Sequence, residues 1–177
     1  MRRLIIPALL VLALAIPALA SARAGSTFRA QLMELNGSGA SGTATATIEG
    51  TTLTVHIVAT GIEDGAHLRH IHGGVETTSG NSLIQSSKCP TPQRDVDGDG
   101  IISVAEGVPD YGPVIVNLGN FMLTGGTLDE TLVFPNFNQS VLPLDKRAVV
   151  LHGMTGPNGY DASIPIVCGQ LHAQGNE

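Results

Sequence analysis

Tryptophan is missing from this chain of 177 residues, and tyrosine and phenylalanine together make up only 3% of it. A core without large rings has to be filled by Val, Ile, Leu and Ala, fitted to close-packed density. Positive charge is scarce too. Nine Lys and Arg stand against fifteen Asp and Glu, giving a net charge of −6. Three of the nine, Arg2, Arg3 and Arg23, fall in the first 24 residues, where no acid occurs, so the remainder is more acidic still. That balance argues against nucleic acid or an anionic membrane surface as a partner, because clustered positive charge holds both. Helical periodicity is almost absent beyond the N-terminus. No nucleophile elbow occurs, and neither cysteine has a catalytic setting.

The one long apolar run lies at the start, MRRLIIPALLVLALAIPALASARA. Two arginines precede it, and two Ala-x-Ala sites, Ala18-Leu19-Ala20 and Ala22-Arg23-Ala24, come after it. It reads as a secretory signal peptide over residues 1–24, short for a membrane span; the alternative is a retained anchor helix. Cleavage leaves residues 25–177 as one domain with a sizeable core, secreted or periplasmic, with no membrane insertion afterwards. Export makes a disulfide the default state of the only two cysteines, Cys89 and Cys168, against the alternative of two separate buried thiols.

Beyond the leader the chain consists of short strands divided by turn chemistry. Phe28 to Leu35 ends at Asn36-Gly37, a hairpin signal. Thr43 to Glu49 and Leu53 to Thr60 alternate, with Leu53, Val55 and Ile57 on one face. Further candidates are Pro113 to Val116, Phe121 to Leu123, Leu128 to Phe134, Arg147 to His152 and Ile164 to Leu171. About eight such strands predict an all-β, antiparallel sandwich or barrel. Gly37-Ser38-Gly39-Ala40-Ser41-Gly42 matches the dinucleotide pattern G-x-G-x-x-G, but a strand pattern comes next, where phosphate binding needs a helix N-terminus.

Residues 95–106, DVDGDGIISVAE, have the spacing of an EF-hand-type calcium loop. Asp95, Asp97 and Asp99 take positions 1, 3 and 5, Gly100 the turn at 6, the Ile101 carbonyl position 7, Ser103 position 9, and Glu106 the bidentate position 12. A hard cation wants that many oxygens, so calcium is the expected ligand; a solvated acidic loop is the alternative. Pro90 and Pro92 forbid a normal entering helix, while Gly107 and Pro109 are expected to stop the exiting one after a turn. The loop therefore reads as a lone structural clamp with weak affinity, on the order of 10⁻⁴ to 10⁻³ M.

Six histidines remain to be placed. His70 and His72, in Arg69-His70-Ile71-His72-Gly73, lie on one side of an extended segment and could present two imidazoles to one metal. By spacing alone, two surface or hydrogen-bonded histidines are an equal reading. His56 and His172 read as solvated surface residues.

The run from Gly61 to His72 resembles the copper-ligand strand of Cu/Zn superoxide dismutases, a glycine turn and a structural histidine before His-x-His. Residues Arg147 to Gly153 are similar to the strand ending in another copper ligand, here His152. Ile166 to Leu171 are similar to the last strand with its disulfide cysteine, and Val116 to Asn120 to the family's Asp-Leu-Gly-Asn segment. The resemblance implies a Greek-key β-barrel, copper on His70, His72 and His152, a Cys89–Cys168 disulfide, and His67 as a packing residue bonded to backbone. The departures from the family pattern bear on activity. No histidine occurs between His72 and His152 to bridge copper and zinc. Val114 and Asn117 stand at zinc-ligand positions, so zinc is not expected, and Pro165 stands where the family has its active-site arginine. Arg69, next to His70, should face the opposite side of the strand.

These features predict an exported, calcium-binding, dismutase-like protein without efficient dismutase activity, holding copper through three histidines. A divergent copper-only dismutase is one alternative. A structural or adhesion domain is the other, similar to chordin-type β domains, which also carry a His-Ile-His-Gly element near a strand such as Gly112-Pro113-Val114. Metal ions are the partners the sequence points to, and no protein partner is legible in it.

Overall fold

The computed structural model describes residues 25–78 and 81–175; the signal-peptide reading at 1–24 lies outside them. The strands form where apolar and polar residues alternate. In β1 (Ser26–Glu34), Phe28, Ala30 and Leu32 turn inward, and in β2 (Ser41–Glu49) Ala44 and Ala46 do so. In β3 (Thr52–Thr60) the inward set is Leu53, Val55, Ile57 and Ala59. The turn between β1 and β2 has positive φ at both Asn36 (59°) and Gly37 (64°), conformations that Asn and Gly adopt at least cost.

Then come β4 (Gly65–His72), β5 (Gly74–Thr78), β6 (Asn81–Gln85), α1 (Val104–Tyr111), β7 (Val114–Leu123), β8 (Thr127–Phe134), β9 (Ala148–Gly156), β10 (Gly159–Gln170) and β11 (His172–Ala173). Nine of the strands make one antiparallel sheet, ordered β7-β4-β9-β10-β1-β2-β3-β8, with β11 beside β1. β5 and β6 form a separate hairpin that the sequence pattern did not suggest.

The outermost strands, β7 and β8, are consecutive in the chain, and the sheet curls until they nearly meet. Arg69 holds this seam. From β4 its Nε donates to the Leu118 carbonyl on β7 at 3.0 Å, and its Nη1 pairs with Glu130 on β8 at 2.5 Å. Its guanidinium also lies 4.9 Å from the Phe121 ring centre. The side chain is buried and, as strand alternation requires, on the face opposite His70. The architecture is thus the expected all-β antiparallel one, a nearly closed barrel around an aliphatic core.

Two local expectations are corrected. β7 is one strand where the sequence suggested two pieces, 113–116 and 121–123. Gly119, at φ 91°, accommodates the irregular pairing with β4, whose register shifts between Leu68 and His70. Such a shift re-aims side chains, here next to the two histidines. The helix after the acidic loop also continues past Gly107 and Pro109 to Tyr111. Both halves of a Ser103–Glu106 capping box start it. Gly107 does not break it, because the Tyr111 ring packs where any β-carbon of residue 107 would sit. Gly112, at φ 84°, closes it by donating to the Val108 carbonyl at 2.8 Å.

Cys89 and Cys168 are bonded to each other, which fastens the segment between β6 and β7 to β10. Tyr111 packs in the same small cluster as the disulfide, together with Leu35, Ala148 and Val150.

Candidate metal centre

β4 and β9 are neighbours in the sheet, with His70 opposite Val150 and Leu68 opposite His152. Residues two apart on a strand share a face, so this register sets His152 diagonally beside the pair His70 and His72. The ring centres are 5.5 Å apart for His70–His72, 5.2 Å for His70–His152 and 5.7 Å for His72–His152. One nitrogen from each ring lies within 4.8 Å of the other two.

The hydrogen bonds settle which nitrogens face one another. His72 Nδ1 donates to the Gly112 carbonyl and His152 Nδ1 to the Ser163 carbonyl, both at 2.8 Å. A carbonyl only accepts, so both rings carry their hydrogen on Nδ1 and keep an Nε2 lone pair. Those two Nε2 atoms, and Nδ1 of His70, are buried and have no hydrogen-bond partner among the described residues. His72 is 1% and His152 2% exposed, while His70 is half-buried at the rim. Burial pushes His72 down to about 4 and His152 down to about 3, against the weaker upward pull of their carbonyl bonds. Burial lowers His70 as well. At neutral pH the cluster is three uncharged imidazoles, with the lone pairs of His72 and His152 converging on Nδ1 of His70.

These shifts make the stability of the metal-free chain depend on pH. The unfolded histidines titrate near 6.5, above their folded values, so between pH 6.5 and about 3 the unfolded state binds more protons. Stability is fully present above pH 6.5 and is lost as pH falls through the folded values. Thermal unfolding of metal-free protein between pH 7.5 and 4 should show a midpoint that falls with pH in the wild type and falls less in a His72→Gln, His152→Gln variant. Equal slopes would rule the cluster out as the source.

The other histidines lie apart from this cluster. His67 has both ring nitrogens on carbonyls, Nδ1 3.0 Å from His152 O and Nε2 2.8 Å from Glu63 O, and stacks on Phe121. Both of its ring nitrogens are taken up by these backbone contacts, and neither belongs to the cluster. His56 is exposed and pairs with Asp129 at 2.8 Å, and His172 is exposed on β11. Sequence reasoning missed the groups that orient the imidazoles. Gly112 and Ser163 act through backbone carbonyls, which have no signature in a sequence. Tyr111, whose ring centre is 4.5 Å from that of His72, could have been found only by extending the helix through Pro109.

The acidic loop brings Asp95, Asp97 and Asp99 within 4.8 Å of one another. Its carboxylates accept from the loop's own backbone. Asp95 takes Gly98 N and Gly100 N, Asp97 takes Asp99 N, and Asp99 takes Ile101 N. Glu106 accepts from Val96 N and from Ser103, its partner in the capping box of α1. Ile101 and Ser103 thus belong to a self-bonded turn leading into α1.

Residues 28–132 match the family model of the CHRD domain. No curated protein matches the chain. The matched span holds His70 and His72, while His152 and Cys168 on β9 and β10 lie beyond it. This finding overturns the resemblance to Cu/Zn superoxide dismutases. The local likeness around His70 and His72 did not separate one β-barrel family from another. The labels of a dismutase-like copper protein, which came with that resemblance, and of an EF-hand calcium loop, which came from spacing, are corrected with it. The acidic loop is entered from a 3-10 turn, Pro92–Arg94, and its carboxylates are engaged by its own backbone. The disulfide and the β-barrel stand.

Proposed function

The chain belongs to the CHRD domain family, and from that premise we propose that it is an exported, non-enzymatic structural β domain of chordin type, which holds one transition-metal ion on His70, His72 and His152. One observation carries the reading of the site. Three converging imidazole nitrogens, two of them on almost fully buried rings, have no hydrogen-bond partner among the described residues. Buried polar atoms without partners cost stability, and one that persists in a fold calls for an explanation. Neutral imidazole is a ligand for first-row transition metals, and in this cluster the second nitrogens of two rings already donate to carbonyls, the arrangement that orients metal-binding histidines.

A structural role fits better than catalysis. Arg69, the cation next in sequence to the cluster, is turned to the other face and neutralised by Glu130. Among the described residues no carboxylate joins the three histidines to serve as acid or base. A disulfide suits an oxidising compartment, as does the N-terminal apolar run. No helix among the described residues is long and apolar enough to cross a membrane.

The test is titration of metal-free protein with cobalt(II), read by visible absorption and by thermal unfolding. The reading expects saturation at one ion per chain with the d–d bands of a low-coordinate imidazole site. Unfolding should also be opposed by about 2.7 kcal/mol at a free concentration one hundred times the Kd. Cobalt that leaves both spectrum and unfolding unchanged would overturn it.

A further inference from the structure

The three histidines stand on barrel strands, yet the barrel does not orient His72. The groups that hold its outer side belong to the segment 87–112, which lies between β6 and β7 and outside the large sheet. The Gly112 carbonyl accepts from His72 Nδ1, and the Tyr111 ring lies against the imidazole at 4.5 Å. Ser87, 1% exposed, sets its hydroxyl 3.2 Å from the His72 carbonyl and 2.9 Å from that of Tyr111. One hydroxyl therefore stitches the ligand strand to the end of α1.

The segment is also closed on itself. Lys88 N donates to Asp110 O at 3.0 Å, and Arg94 grips the Asp110 carboxylate with two bonds, at 2.7 and 2.5 Å. The Cys89–Cys168 bond ties its beginning to β10, and Gly73 N, bonded to Pro113 O at 3.0 Å, ties its end to β4. Gly73 and Gly112 pass so closely that a β-carbon on Gly112 would lie 2.6 Å from the Gly73 carbonyl carbon. Nothing larger than glycine lets the carbonyl of residue 112 reach His72 in this way.

We infer that this strap is the positioning device of the metal site: Gly112 accepts from the His72 ring, Tyr111 packs against it, and Ser87 ties the His72 backbone to the end of α1, so that Nε2 points at the other two histidines. The inference rests on the metal reading above and adds to it where affinity is set. Without the strap, His72 would remain on β4 but could turn its ring and exchange tautomers. Loss of a partner that orients a ligating histidine typically weakens metal binding by about 10- to 100-fold.

The experiment compares Ser87→Ala, Tyr111→Leu and Tyr111→Phe with the wild type by cobalt(II) titration, recording Kd and the d–d spectrum, with metal-free unfolding measured alongside. Ser87→Ala and Tyr111→Leu should raise Kd by about tenfold or more and shift the spectrum. Tyr111→Phe keeps the ring and loses only the hydroxyl bond to the Val104 carbonyl, so it should bind like the wild type. If Tyr111→Leu does not fold, Ser87→Ala decides. Folded Ser87→Ala protein with wild-type Kd and spectrum would overturn the inference and leave the metal reading standing. A wild type that takes up no cobalt would overturn both.

Discussion

His152→Ala is expected to abolish stoichiometric metal uptake, weakening it by about a hundredfold or more, at least the upper end of what losing an orienting partner costs. In the proposed site His152 is the ligand contributed by β9 to the pair on β4, and His70 and His72 alone give two nitrogens on a single strand. The metal-free variant should still fold. The substitution removes an unpartnered buried nitrogen together with the ring, and the Ser163 carbonyl it frees from Nδ1 belongs to a half-buried residue. The measurement is the cobalt content of wild type and variant after exposure to equimolar ion and desalting. His56→Ala and His172→Ala serve as controls, because both rings are exposed and outside the cluster. Full cobalt retention by His152→Ala would show that the metal sits elsewhere.

Replacing Cys89 and Cys168 by alanine should lower the unfolding free energy by about 4.5 kcal/mol, the chain-entropy value for a closed loop of this size. The two residues are 79 apart in sequence, so the bond constrains about half of the described chain in the unfolded state. The loss should show as an earlier denaturant midpoint with a smaller change in slope than in midpoint. The bond packs with Tyr111, which lies on His72, so the same variant should also bind cobalt more weakly. A midpoint unchanged within error would mean that the segment 87–112 is held by its hydrogen bonds alone.

Much of the fold was legible in the residues. The period-two pattern of Leu53, Val55, Ile57 and Ala59 reports a half-buried strand whatever the strand pairs with, and Asn36-Gly37 marks the β1–β2 turn by backbone sterics alone. The same local logic put His70 and His72 on one face and Arg69 on the other. It failed at Gly107 and Pro109, read as helix stops, where packing of Tyr111 on Gly107 outweighs propensity. It failed again in choosing a family. A His-Ile-His-Gly element on a β-strand fits the chordin-type domain as well as the dismutase, and four short segments of likeness in order could not tell one barrel from the other.

By itself, then, the sequence determined the acidic, strand-rich character of the domain, the faces of its strands and, from spacing, the pair His70 and His72; His152 was joined to them only through the family resemblance, and the structure does place it there. The strand faces and the pair depend on neighbours within a few residues, where backbone geometry permits few choices. Only the tertiary structure decided that β9 lies beside β4 and so brings His152 to the pair, and that a disulfide-tied strap sets a carbonyl on His72. Both arise from pairings between residues far apart in the chain, fixed by how the whole aliphatic core closes. The carbonyls of Gly112 and Ser163 belong to the backbone, which is chemically alike at every position, so only the fold gives them a role.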